Sequence, residues 1–172
     1  MFSFLKPKPA PEGPVEFIVA VEVDRPASEV YPLVDWSDPR NAKRELGHSI
    51  EPIGGDPARF RLIMTGMEDL RFEMTVIEAE QDKSYAFSTD ITPPVGRLQE
   101  SEEHYSFEPL GEDRCKLTLK TVATFQSGLD MDEFEEELMM MTMSCQRALV
   151  KLKLHAEQGI DAVKAFDQQL DF

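Results

Sequence analysis

Glu103 and Tyr105 are the two side chains of this sequence best suited to act together on a small molecule. They stand two residues apart within residues 97–107, a long polar segment whose pattern predicts a β-strand. Two-residue spacing places both side chains on the same face of a strand. Burial raises the pKa of a carboxyl group and suits it to general acid or base chemistry. Glu103 is therefore the single catalytic candidate, with Tyr105 as a hydrogen-bond donor beside it.

The same alternation extends the inward face of this strand. If Tyr105 and Phe107 face the interior, four polar residues share that face: Arg97, Gln99, Ser101 and Glu103. An unpaired carboxylate is costly in a core, whereas a hydrated cavity accepts it. Arg97 and Glu103 are thus expected at a polar end of a ligand pocket. Two alternatives stay open: a β-bulge near Glu102 would reverse the alternation, or this part of the strand extends into solvent.

Other kinds of site are not indicated. His48, His104 and His155 are scattered without metal-ligand spacing, and Cys115 and Cys145 form no CxxC motif. Both cysteines fall on predicted apolar faces, which indicates free buried thiols. The chain has no GxSxG, no glycine-rich phosphate loop and no HExxH. We therefore expect no metal and no cofactor.

Composition excludes some partners. The 172 residues include 33 acidic against 18 basic side chains, a net charge of −15. This balance argues against nucleic acid and anionic membranes as partners, because both require clustered lysine and arginine. No apolar run approaches the roughly 18 residues of a transmembrane helix, so no transmembrane segment is predicted. The first residues lack the pattern of a secretory signal, which predicts a cytoplasmic location.

The predicted elements follow a definite order. Residues 15–23 alternate as a strand, and short helices follow at 27–36, with Ser28 as a cap, and at 38–46. Further strands are predicted at 48–53, 60–64, 70–76, from residue 85, at 97–107 and at 115–125. A helix of about 25 residues begins with the capping pair Asp130 and Glu133 and ends near Gly159. Its apolar stripe consists of Met131, Phe134, Leu138, Met141, Cys145, Leu149 and Leu152.

Three features of the chain resemble a known superfamily. They are residues 19–31 (VAVEVDRPASEVY) followed by Asp35 and Trp36, residues 105–109 (YSFEP) before a turn, and the amphipathic terminal helix. Over residues 15–156 the chain resembles the START-like (SRPBCC) superfamily. That superfamily includes the birch pollen allergen, polyketide cyclase/dehydratase-like proteins and lipid-transfer START domains. The resemblance implies an α+β helix-grip fold, in which an antiparallel sheet of six or seven strands wraps around a long C-terminal helix, with two short helices after strand 1. It assigns residues 15–158 to the domain, 1–14 to a proline-rich tail and 159–172 to an extension.

The resemblance also implies a cavity between sheet and helix that binds a hydrophobic small molecule. Strand and helix faces supply the expected ligand-binding residues: Trp36, Met64, Phe72, Met74, Tyr85, Phe87, Arg97, Glu103, Tyr105, Leu119, Thr121, Leu138, Met141 and Cys145. Methionine is flexible, so a Met-rich wall suits an adaptable pocket. The alternative is that these residues pack together as an ordinary core, with Trp36 anchoring the short helices.

Three function classes follow from this pattern. The first is a carrier of a hydrophobic or amphipathic molecule, lipid or polyketide-like. The second is a cyclase/dehydratase-type enzyme that uses the same cavity with Glu103 as acid or base. The third is an interaction module, as in activators of a heat-shock chaperone ATPase, with a protein partner or a second copy of the chain. Phe2, Phe4 and Leu5 would then be docking residues; the alternative for them is a frayed terminus.

Overall fold

The computed structural model describes residues 8–169, and their strands form one antiparallel sheet of seven. In chain order the elements are β1 (Val15–Val23), α1 (Ala27–Val34), α2 (Ala42–Glu45), β2 (Ser49–Ile53), β3 (Asp56–Ile63), β4 (Arg71–Glu80), β5 (Ser84–Thr92), β6 (Leu98–Pro109), β7 (Cys115–Phe125), α3 (Met131–Gln158) and α4 (Ile160–Gln168). The spatial order of the strands is β1-β7-β6-β5-β4-β3-β2, so β1 and β2 lie at opposite edges. The predicted α+β helix-grip architecture is confirmed.

The inner face of the sheet follows from the two-residue alternation of its strands. In β7 every second residue, from Cys115 to Phe125, is buried, and the residues between them are more exposed. The antiparallel register pairs Leu119 with Val19 on one side and with Tyr105 on the other. Because directly paired residues share a face, the predicted inward side chains of neighbouring strands form one continuous surface.

The long helix α3 covers this surface. The capping box is present, since the Asp130 side chain accepts a hydrogen bond from the Glu133 N–H and the Glu133 carboxylate accepts one from the Asp130 N–H. The helix has 28 residues and ends at Gly159, whose φ of 87° favours glycine. Lys153 donates a hydrogen bond of 2.7 Å to the Glu22 carbonyl, which joins α3 to β1. The predicted stripe, including Leu149 and Leu152, is the face that enters the core.

The first short helix begins earlier than its predicted cap. Pro26 occupies the N-cap with φ −66°, so Ser28 lies inside the first turn and provides no cap. The predicted cap was wrong because the fixed φ of Pro26 already leads the chain into the helix. Pro32 consequently lies within the helix, where it is buried in the core side of α1.

Two other boundaries differ from prediction. The second helix spans only Ala42–Glu45, because the Asp38 carboxylate bonds to the N–H of Arg40 and holds the preceding residues in a turn. Strand β4 begins at Arg71, and Leu70 instead closes a turn through a 3.0 Å hydrogen bond from its N–H to the Met67 carbonyl.

The two ends of the described chain pack on the domain. The Ala10 N–H donates to the Leu129 carbonyl at 3.0 Å, and the Met131 N–H donates to the Lys8 carbonyl at 2.9 Å. In α4, Val163 is 1% exposed, which shows that part of the predicted extension enters the packed structure. The boundaries 1–14, 15–158 and 159–172 stay a prediction. Phe2, Phe4 and Leu5 lie outside the described residues.

Candidate ligand-binding site

One row of side chains across the inner face contains a single carboxyl group. Glu103 of β6 pairs directly with Phe87 of β5 and with Thr121 of β7. Beyond them the row continues to Val76 of β4 and Phe17 of β1. Glu103 therefore points toward α3 from the middle of the sheet, as the alternation predicts.

Tyr105 and Glu103 form a hydrogen-bonded pair. The Tyr105 hydroxyl donates to Glu103 Oε2 at 2.8 Å, and no donor from the described residues reaches the other carboxyl oxygen, Oε1. Burial raises the pKa of Glu103, while the Tyr105 hydrogen bond and the Lys43 charge lower it in part. Burial and the neighbouring Glu103 together raise the pKa of Tyr105. A pair of this kind can hold or transfer a proton inside the molecule.

The Glu103 side chain retains accessible surface although protein atoms surround its carboxyl group. The carboxyl group therefore lies among protein atoms at a residue that is half-buried as a whole. Thr121 and Cys145 lie near this point, with the Thr121 hydroxyl 3.5 Å from the Cys145 thiol. Burial raises the pKa of Cys145, and Glu103 adds to the shift, so the thiol stays neutral at ordinary pH.

Lys43 is a second polar group at this site, and the sequence patterns gave no sign of it. It lies on α2, and its ammonium group forms no ion pair or hydrogen bond within the described residues. Burial lowers the pKa of Lys43, the Lys151 charge lowers it further, and Glu103 raises it in part. The run Ala-Lys-Arg-Glu is typical of a solvated helix, so only the tertiary placement of α2 shows that Lys43 is partly buried.

The predicted hydrophobic lining divides into two groups. Nine-tenths or more of the surface is buried in a first group, which packs as core: Trp36, Met74, Tyr85, Phe87, Tyr105, Leu119, Thr121 and Cys145. The second group is only half-buried: Met64, Phe72, Leu138 and Met141. These four side chains pack against the core clusters without being fully buried by them.

Trp36 serves mainly as an anchor. Its ring meets Phe87 edge-on at 5.2 Å between centroids, and its backbone N–H donates to the Tyr85 hydroxyl at 3.0 Å. The indole Nε1 is buried without a partner in the described residues. The contacts with Phe87 and Tyr85 support a role for Trp36 in anchoring the short helices, and a role in ligand binding stays a prediction.

Arg97 lies just before β6 and contacts α3. The register of β6 against β7 shifts between Leu98 and Glu100, so the inward alternation does not extend back from Ser101. The guanidinium instead pairs with Glu137 at 3.1 Å and with Glu133 at 3.3 Å. The irregularity interrupts the alternation that linked Arg97 to Glu103, and a role for Arg97 at a polar end of a pocket stays a prediction.

A cleft of about 440 Å³ lies where β5 and β6 separate, and it is lined in part by Thr89, Ile91, Pro94 and Leu98. Thr89 pairs with Ser101, two residues along the strands from the Phe87–Glu103 pair. The lining of the cleft comes from β5, β6 and the segments next to them, and includes neither Glu103 nor any residue of α3.

Other kinds of site receive no support from residues 8–169. Within that range no three His, Cys, Asp or Glu side chains are grouped so that they could hold a metal ion. No helix of the described part is long and apolar enough to cross a membrane. On the outer side of α3, Met139, Met140 and Met143 are exposed. An exposed apolar surface of this kind is what the interaction hypothesis requires, and that hypothesis stays a prediction.

Comparison with known proteins supports the fold. No protein-family model and no curated protein sequence matches the chain. Among solved structures, Ara h 8.0201 is 10% identical, with a TM-score of 0.63 over 84% of this chain and 98% of that one. A norcoclaurine synthase mutant from Thalictrum flavum, in complex with a transition-state analogue, is 10% identical with a TM-score of 0.59, over 86% and 96% of the two chains.

A third structure is the di-domain ARO/CYC protein BexL from the BE-7585A biosynthetic pathway. It is 18% identical with a TM-score of 0.59, and the match covers 86% of this chain and 51% of BexL. At these identities the likeness concerns the fold. The three structures confirm the predicted helix-grip fold of this chain.

Proposed function

We propose that the protein binds a hydrophobic or amphipathic small molecule between the inner face of its sheet and α3. The observation that carries this proposal is the Glu103 carboxyl group on the inner face of the sheet, hydrogen-bonded to Tyr105, in a core that leaves Met64, Phe72 and Met141 only partly buried. Ligand sites are mostly apolar with a few polar groups that fix orientation, which is the composition found here. Structures with this fold support the proposal, since norcoclaurine synthase has been solved in complex with dopamine and hydroxybenzaldehyde.

The proposal is tested by thermal denaturation with a panel of fatty acids, aromatic polyketide-like compounds and apolar dyes. A ligand that binds only the folded state raises the melting temperature, by mass action. Met64→Trp narrows the interior and should abolish the shift, whereas Met67→Trp, at a position 42% exposed, should leave it unchanged. A flat response across the panel, or equal shifts in both variants, would contradict the proposal.

A second candidate is acid–base catalysis in the same space, which the Tyr105–Glu103 hydrogen bond favours. Glu103 with a raised pKa can take and return a proton at a bound carbonyl compound. The measurement is deuterium uptake from D₂O into enolisable aryl β-diketones, followed by NMR. Glu103→Gln should remove catalysed exchange, and Glu102→Gln, on the opposite face of the same strand, should not. Exchange that survives Glu103→Gln removes the residue from the mechanism.

A further inference from the structure

One exposed face of α3 is acidic at its start and apolar further along. Residues three and four positions apart share a helix face, and this face consists of Asp132, Glu135, Glu136, Met139, Met140 and Met143. The three methionines, here called the methionine patch, are 58%, 48% and 56% exposed. Within residues 8–169 no other element exposes more than one large apolar side chain. The methionine patch is therefore the densest group of exposed apolar side chains in the described chain.

The described chain begins beside the first turn of the same helix. The Met131 N–H donates to the Lys8 carbonyl at 2.9 Å, and Pro9 forms an antiparallel bridge with Asp130, the N-cap residue. Residues 1–7 lie outside the described residues, and they are joined to the domain at this point. Their point of attachment is thus held at the acidic end of the exposed face.

The length of residues 1–7 matches the distance to the methionine patch. An extended chain spans roughly 3.3 Å per residue, so Leu5 to Phe2 can lie about 10–20 Å from Lys8. Along the helix axis, at about 1.5 Å per residue, the patch lies roughly 12–18 Å from Met131. The apolar residues of the segment can therefore reach all three methionines.

The order of the side chains matches as well. Lys6 is close to the point of attachment, and three of the four residues 2–5 beyond it are apolar. On the helix the acidic residues come first and the methionines follow. Within residues 8–169 Asp132 and Glu135 form no ion pair, whereas Arg97 engages the three other glutamates of the first two turns. A segment that follows the helix from its N-terminal end therefore brings a cation to unpaired carboxylates and apolar groups to the methionines.

We propose that residues 1–7 dock on this face of their own chain. Phe2, Phe4 and Leu5 cover the methionine patch, and Lys6 lies beside the acidic first turns. Burial of apolar surface drives the docking, and methionine adapts its shape to aromatic partners. The attachment gives the segment a high effective concentration, whereas a second copy of the chain would bring a further charge of −15. The inference goes beyond the proposed function, because this face of α3 points away from the core.

Oxidation of the methionines by hydrogen peroxide, followed residue by residue by mass spectrometry, tests the proposal on the full chain. A covered thioether oxidises more slowly than an exposed one. If the segment is docked about two-thirds of the time or more, the Phe2→Ser/Phe4→Ser double variant should raise the oxidation rate of the patch about threefold or more. Met67, which is 42% exposed outside α3, should keep its rate. Ser3→Ala removes no apolar group from the segment and should leave the patch protected.

A charge exchange tests how the segment lies on the helix. Lys6→Glu and Glu135→Lys should each raise the oxidation rate of the patch, because like charges then face each other. The two changes together should restore most of the protection. Lys164→Glu makes the same charge change on the exposed surface of α4 and should have no effect.

Three results would overturn the proposal. Equal rates in the wild type and the Phe2→Ser/Phe4→Ser variant would show that the segment does not cover the patch. Protection that is lost on dilution would assign the patch to a second copy of the chain, since docking within one chain does not depend on concentration. An equal rise at Met67 would show that the segment supports the whole fold and not this face.

Discussion

Replacing leucine by phenylalanine at two positions of α3 tests whether the interior contains space. Leu138 and Leu149 lie on the same apolar stripe, but Leu149 is 1% exposed whereas Leu138 is half-buried. Extra volume in a well-packed core costs about 1–3 kcal/mol. We therefore expect Leu149→Phe to lower the free energy of unfolding by that amount, because every side of the residue is occupied. Leu138→Phe should cost less than about 1 kcal/mol, since its new ring can enter accessible space.

The assay is urea denaturation followed by circular dichroism, with thermal melts as a second measurement. For a chain of this length 1–3 kcal/mol corresponds to a fall in melting temperature of roughly 2–12 °C. Both changes are Leu→Phe within one helix, so their difference in helix propensity cancels. Equal destabilisation by the two variants would refute the reasoning and show that Leu138 belongs to a filled core.

Three further predictions concern the cap, the buried carboxyl group and the thiols. Asp130→Ala removes the capping box and should reduce the free energy of unfolding by about 1 kcal/mol in urea titrations; no change would show that the helix start is held by other contacts. Because burial raises the pKa of Glu103, its contribution to stability is complete below its unfolded-state pKa and is lost as pH rises through the folded-state pKa. Glu103→Gln should therefore remove that decline, and parallel pH–stability curves for the two proteins would contradict the pKa direction. Cys115 and Cys145 are buried with raised pKa values, so a thiol reagent should modify both far more slowly in native protein than in urea; rapid native labelling of Cys145 would show that the reagent reaches it from outside.

The sequence predicted most of the architecture because local patterns repeat over whole elements. Alternation in β7 and the helical stripe from Met131 to Leu152 each span many residues, so single exceptions do not obscure them. Errors occurred where few residues decide the outcome, as at Pro26, which caps α1 in place of Ser28. The position of Glu103 was also predictable, since the register of β6 is regular from Ser101 onward.

The candidate site was only partly predictable. The alternation could not be extended from Ser101 to Arg97, because an irregular pairing near Leu98 has no clear signature in the sequence. Met74 is buried and Phe72 half-buried, although they lie two residues apart on one strand face. A pattern assigns a side chain to a face but not to a depth.

By itself the sequence determined the order of elements, the faces of the strands and the acidic character of the chain. Only the tertiary structure decided that Lys43, from a polar four-residue helix, lies in the electrostatic environment of Glu103, sixty positions later in the chain. The physical reason is that alternation and helical spacing report contacts within an element and with the core. The relative position of two charges depends instead on where the hydrogen bonds of Asn41 hold α2 against the end of α1.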